Sequence, residues 1–282
     1  MRTIPSVDIR FVDSGDYQIA AHIFENPGGE SDLVLLHRAG VASEPTWYPM
    51  LPDCRSYRRV ICPDLRGMGR SHAHDFEERP ITVSAVASDV DGLLGEFSVT
   101  RYQMVDYSFG GLIALMVNAL NPGVFSDLVL LEPALLERAS LKALRELRPR
   151  YAIAASLLLT EGDPIVGVKK FLDLISPNRS RHHRIEHVTV QRLASCPRGL
   201  AYALMAVNQA AQQIDRMGLI DQAPRTLSLV GSKSVDEAHA FHQTLAASKD
   251  MWFYRSVSGV DHAMSYQKPG VCAQFICEHF GR

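Results

Sequence analysis

Apolar residues in this chain gather in short runs that end at turn-forming residues. In DLVLLHRAG an unbroken apolar stretch, 33–36, meets His37 and then a loop holding Gly40 and Pro45, which predicts a buried strand followed by irregular chain. Arg59-Val60-Ile61-Cys62 stops at Pro63 and runs into DLRGMGRS, a second strand and loop. Over 83–97 the spacing becomes helical, at Val83, Val86, Val90, Leu93 and Leu94. Next, 102–105 reads as a strand, DYSFGG as a sharp turn and LIALMVNAL as a buried helix. A strand over 127–131 ends at Glu132-Pro133, and TLSLVG (226–231) and MWFYRSV (251–257) supply two more around helix-compatible sequence.

Strands that alternate with helices predict an α/β fold with a mostly parallel central sheet and helices on both faces. The stretch 134–223 breaks the rhythm, with helical spacing and no convincing strand. It predicts a helical lid inserted into a core built from 1–133 and 224–282.

Composition narrows the picture. At 282 residues and 46% apolar content the chain can bury one large core. Its net charge of -2 comes from acidic and basic residues mixed along the chain, so nothing points to nucleic acid. RSRHHRIEH (179–187) lacks an aromatic stacking platform and reads as a solvated helix start or loop. Charges at Asp8, Arg10 and Asp13 interrupt any secretory apolar stretch, and no segment approaches the roughly 18 apolar residues of a membrane span. A cytoplasmic protein without membrane contact is expected. Five cysteines without a CxxC pair suggest neither a disulfide framework nor a zinc site, and Cys62 reads as a small core residue. No metal or organic cofactor is expected. The oligomeric state stays open, a homodimer among the options.

In a parallel α/β sheet ligands sit beyond the carboxyl ends of the strands, which draws attention to His37, Ser108, Glu132, Ser234 and His262. Ser108 stands between a strand and an apolar helix in Asp-Tyr-Ser-Phe-Gly-Gly, the setting of a nucleophile elbow. Gly110 and Gly111 would let the helix pack close; an ordinary N-cap serine is the plainer alternative.

On the elbow, the CPDLRGMGRS segment (62–71) and the late GVDHAM, the chain resembles the α/β-hydrolase superfamily over about 33–133 and 226–262. The resemblance implies that Ser108 is the nucleophile, that His262 is its base, and that the N–H groups of Ala39 and Phe109 form the oxyanion hole. Each such donor is typically worth about 3 kcal/mol of transition-state stabilisation.

Three positions depart from the family pattern. Asp106 stands where a glycine usually precedes the nucleophile by two residues, so its carboxylate needs a hydrogen-bond partner or water and is placed to raise the pKa of His262. Arg38 follows His37 where the family shows glycine; it either points to solvent or enters the pocket to pair with a substrate carboxylate or with Asp106. Ser234 occupies the place of the usual acid, leaving Glu132 and Asp236 as replacements, with Glu132 favoured because it leaves a strand end. Some members of the superfamily, including certain haloalkane dehalogenases and cofactor-free dioxygenases, are similar in taking the acid from the position of Glu132. Asp261 reads as structural.

His37, Arg38, Asp106 and Tyr107 are the expected substrate contacts. Tyr151, Leu157, Leu158, Phe171, Met205 and Met217 are candidates for an apolar wall in the lid, or simply for its packed inner faces. The leading expectation is acyl transfer from a small or medium apolar ester, thioester or C–C bond substrate to water. A cofactor-free dioxygenase on the same fold and a catalytically weakened ligand-binding protein are the alternatives.

Overall fold

The computed structural model describes residues 6–135, 141–160 and 162–282. Two strands that the apolar runs do not predict come first. β1 (Asp8–Ser14) and β2 (Tyr17–Glu25) pair antiparallel around Gly15, whose φ of +60° suits a tight turn. β1 forms one edge of the sheet, largely exposed, so it carries charges where an inner strand carries leucine and valine.

The predicted elements follow within a residue or two of their apolar runs. β3 (Asp32–Leu36) leads to α1 (Ser43–Trp47), a 3-10 turn (Tyr48–Asp53), β4 (Arg59–Pro63) and the short β5 (His72–Ala73). α2 (Val83–Glu96) starts at Thr82, whose side chain accepts a hydrogen bond from the Ala85 N–H. β6 (Tyr102–Tyr107), α3 (Phe109–Leu120) and β7 (Phe125–Leu131) complete the first half.

After β7 the described chain forms five helices and no strand: α4 (Leu141–Leu159), α5 (Ile165–Ile175), α6 (His183–Ala194), α7 (Pro197–Gln213) and α8 (Arg216–Asp221). β8 (Arg225–Gly231), α9 (Asp236–Ser248), β9 (Trp252–Val257), α10 (Met264–Gln267) and α11 (Pro269–Phe280) return to the strand-helix rhythm.

The main sheet order is β1-β2-β4-β3-β6-β7-β8-β9, parallel from β4 to β9, with β5 paired to β2. Both faces are covered. Val34, Leu36, Met104 and Leu130 pack toward α2, α3 and the helices after β7; Leu33, Leu35, Val105 and Leu131 pack toward Trp47, the 3-10 turn and α11. Burial on both sides is why these strands read as continuous apolar runs rather than alternating ones.

Register positions the site. Leu36 lies opposite Asp106, Tyr107 opposite Leu131, and Leu131 opposite Leu229, so β3, β6 and β7 end nearly level and β8 runs two residues further. The residues at and beyond these ends, 37–39, 108, 132 and 231–234, therefore meet at the carboxyl end of the sheet.

Candidate active site

Ser108 leaves β6 with φ 52° and ψ -110°, a left-handed conformation that costs a non-glycine residue about 1–3 kcal/mol. Its neighbours hold it there. The Ser108 N–H donates to the Leu131 carbonyl at 3.0 Å, and its own carbonyl accepts from Gly111 at 3.0 Å and Ala134 at 2.8 Å. A Cβ on Gly110 would lie 2.6 Å from the Leu36 carbonyl oxygen, and one on Gly111 2.6 Å from Pro133 Cβ, so the turn closes only with glycine at both positions.

His262 lies on the loop between β9 and α10. Ser108 Oγ is 3.2 Å from its Nε2, and its Nδ1–H donates to Glu132 Oε2 at 2.7 Å. Glu132, also at positive φ (39°), directs its other oxygen to the Gly231 N–H at 2.7 Å and to the Ser234 hydroxyl. Burial alone would raise the Glu132 carboxyl, but the His262, Ser234 and Gly231 donors outweigh it and hold the group below its ordinary range. Ser234 thus supports the carboxylate that meets His262. The signal for it was a serine where the resemblance expects a carboxylate.

Asp236 is exposed in the first turn of α9, and no hydrogen bond joins it to His262. As the alternative acid it is set aside, because Glu132 occupies the Nδ1 side of the imidazole. Asp261 is buried and bound into its own loop, accepting from the Ala263 N–H at 2.8 Å and Gln267 Nε2 at 3.0 Å.

Ala39, Phe109, Ser108, Glu132, Ser234 and His262 line a cavity of about 80 Å³ beneath α4, α5 and α7. Tyr151 and Phe171 face it as expected from the sequence, whereas Met205 and Met217 are 40% and 41% exposed and line none of it. Leu157 and Leu158 do not reach it. The apolar wall comes instead from Leu144, Leu147, Ile175, Leu204 and Val207. The helical recurrence of 144, 147 and 151 was the sequence signal for that face of α4.

None of the four expected substrate contacts lines this cavity, and each has a physical reason. His37 is buried, its Nδ1–H donates to the Arg38 carbonyl at 2.7 Å, and its Nε2 accepts from the Leu65 N–H at 2.8 Å. Burial lowers its pKa, and the neutral ring pins the loop that carries Ala39. The Tyr107 side chain lies on the opposite face of the sheet, where its hydroxyl donates to the His262 carbonyl.

Asp106 is fully buried; one oxygen accepts from the Leu36 N–H at 3.2 Å and the other has no partner among the described residues. Burial pushes its pKa well above the ordinary value, offset only in part by that one donor, and so favours the neutral form.

Among the described residues Arg38 pairs with no carboxylate, Asp106 included. Its guanidinium lies 5.6 Å from the ring centroids of both Tyr107 and Tyr266, and Nη1 donates to the Tyr107 hydroxyl at 3.4 Å. The basic segment 179–187 is also not wholly solvated. Arg179 is buried and bridges Asp173 at 2.8 Å and Glu186 at 3.1 Å, while α6 begins at His183.

Among the described residues, no group of three or more His, Cys, Asp or Glu side chains is arranged to hold a metal ion. No helix among them is long and apolar enough to cross a membrane.

The family model for the alpha/beta hydrolase fold matches residues 32–162. A hydrolase from Pseudomonas aeruginosa superposes on the chain with a TM-score of 0.73 at 20% identity, covering 98% of this chain and 99% of its own. The chain has the α/β-hydrolase fold. Another structure of this fold, an AqdC variant described as recognising and ring-cleaving the Pseudomonas quinolone signal, aligns with a TM-score of 0.77 at 18% identity over 97% of this chain and 99% of its own. Among curated relatives, the 2-hydroxy-6-oxo-2,4-heptadienoate hydrolase of Pseudomonas putida is 29% identical over 128 residues, 43% of this chain and 43% of that protein. The match thus spans less than half the length of that relative.

Proposed function

We propose that this α/β-hydrolase is a serine-dependent hydrolase of small apolar esters, thioesters or C–C bond substrates. The continuous hydrogen-bonded line from Ser108 through His262 to Glu132 carries the reading. Ser108 Oγ attacks the substrate carbonyl as Nε2 of His262 takes its proton, and Glu132 stabilises the imidazolium that forms. The N–H groups of Ala39 and Phe109 receive the oxyanion. His262 then hands its proton to the leaving group, and water releases the acyl group from Ser108 by the same steps.

The helices of 134–223 act as a cap, and the cavity of about 80 Å³ beneath them suits a short chain or single ring. Hydrolysis of p-nitrophenyl butyrate is therefore expected to exceed that of the octanoate by tenfold or more in kcat/KM, a ratio set by fit of the acyl group.

One observation favours a second reading. Glu132 and His262 form a buried hydrogen-bonded pair whose proton chemistry does not itself require a serine nucleophile, and a structure of the same fold is described as ring-cleaving the Pseudomonas quinolone signal. A cofactor-free dioxygenase would use His262 as base and Ser108 only to bind substrate. Labelling with a fluorophosphonate probe separates the two. Stoichiometric modification of Ser108, abolished by His262→Ala, supports the hydrolase; an unlabelled protein that takes up oxygen with the Pseudomonas quinolone signal overturns it.

A further inference from the structure

His262 has a second neighbourhood on the side away from the apolar cavity. There a small internal space of about 20 Å³ is lined by His262, Arg38, Arg179, Ser176 and Asp261. It adjoins an open cleft of about 640 Å³ between α6, the loop before α10 and the loop after β8, with Arg38 and Asp261 common to both.

Three buried donors on this inner wall lack a partner among the described residues: Arg38 Nε, Arg179 Nε and Ser176 Oγ. Arg38 is 3% exposed, Ser176 3% and Arg179 7%. Leaving such groups unpaired costs about 1–3 kcal/mol apiece, more for a charged one. What they have in common is a demand for an acceptor.

Charge points the same way. Six cations, Arg38, Arg179, Arg184, Arg192, Lys233 and Lys268, line the combined space against two carboxylates, Asp261 and Glu186. Both carboxylates are engaged already, Asp261 by Ala263 and Gln267, Glu186 by Arg179 and Arg181. Arg38, Arg184, Arg192, Lys233 and Lys268 form no ion pair among the described residues; Arg192 stacks on Tyr266 at 3.9 Å, and Lys268 donates to the Ser258 carbonyl at 2.9 Å. A concave surface lined by one sign of charge concentrates the field toward its floor, which here is Arg38.

We infer that this cleft is a binding site for a small organic anion bearing phosphate or carboxylate groups, with Arg38 and Arg179 at its inner end and the exposed cations at its mouth. The anion is either the far end of the substrate or a separate effector, and inhibition kinetics tell these sources apart.

Calorimetric titration with pyrophosphate and with citrate at fixed ionic strength tests the site without requiring turnover. Saturable binding is expected in the wild type and equally in Ser108→Ala, so a failed hydrolase assignment leaves this result untouched. Arg38→Met should weaken binding tenfold or more. Because that buried change can disturb folding, the exposed double variant Arg184→Glu, Lys233→Glu serves beside it and should weaken binding about tenfold. Competitive inhibition of p-nitrophenyl butyrate hydrolysis by pyrophosphate would assign the site to the substrate's own anionic end, and non-competitive inhibition to an effector. Absence of saturable binding by both anions at millimolar concentration would mean that water alone fills the space, and binding unchanged in both variants would put the anion elsewhere; either result would overturn the proposal.

Discussion

Glu132 follows β7 and Asp106 lies near the end of the neighbouring β6, and both carboxyl groups are buried, yet their pKa values move in opposite directions. Glu132 receives hydrogen bonds from His262, Ser234 and Gly231; Asp106 receives one, from Leu36. Burial opposes ionisation in both, so the number of donors sets the direction of each shift. Asp106, which looks most like an intruder in the elbow, has its neutral form favoured and does not touch the reacting atoms. Ser234, which looks like a lost acid, donates to Glu132 and favours its charged form.

Replacing the charge at the first site should have the largest effect. Glu132→Gln keeps the shape but removes the partner of the imidazolium, and kcat/KM for p-nitrophenyl butyrate should fall by about 10²–10⁴-fold. At the second site the equivalent change should help. Since burial raises the Asp106 pKa in the folded protein above that of the unfolded chain, stability from this group is present below the ordinary carboxylate range and is lost as pH rises through the folded pKa. Asp106→Asn should then be more stable than wild type at pH 8 in urea unfolding and match it near pH 4. The smallest effect is expected where one donor of three is removed. Ser234→Ala should lower kcat/KM by about 3–10-fold, equivalent to the loss of one ordinary hydrogen bond of about 1 kcal/mol. A loss as large as that of Glu132→Gln would show that donor number is not what separates the two carboxylates.

The inner strands and the elbow were legible because burial on both sheet faces writes continuous apolar runs, and because a strand, a tight turn with two glycines and an apolar helix occur together at Ser108. β1 was not legible, since an exposed edge strand carries charges at Asp8, Arg10 and Asp13. The roles of His37, Arg38 and Tyr107 escaped because proximity in sequence to a site says nothing about which face of the strand a side chain takes. His37 turned to backbone groups at Arg38 and Leu65, and Tyr107 to the back of the His262 loop. The cavity wall on α4 and α7 was only half visible, since a helix face shows its period but not its partner, and Met205 and Met217 took the solvent side.

The central claim, that Ser108 acts with His262 and Glu132 as one unit, is tested most directly by kcat/KM for p-nitrophenyl butyrate in wild type and in Ser108→Ala, Glu132→Gln, their double variant and Asp236→Asn. The account predicts that the double variant is no slower than Ser108→Ala alone, because residues that act as a unit are lost together, and that Asp236→Asn stays within twofold of wild type. Full additivity of the two losses, or activity retained in Ser108→Ala, would contradict it.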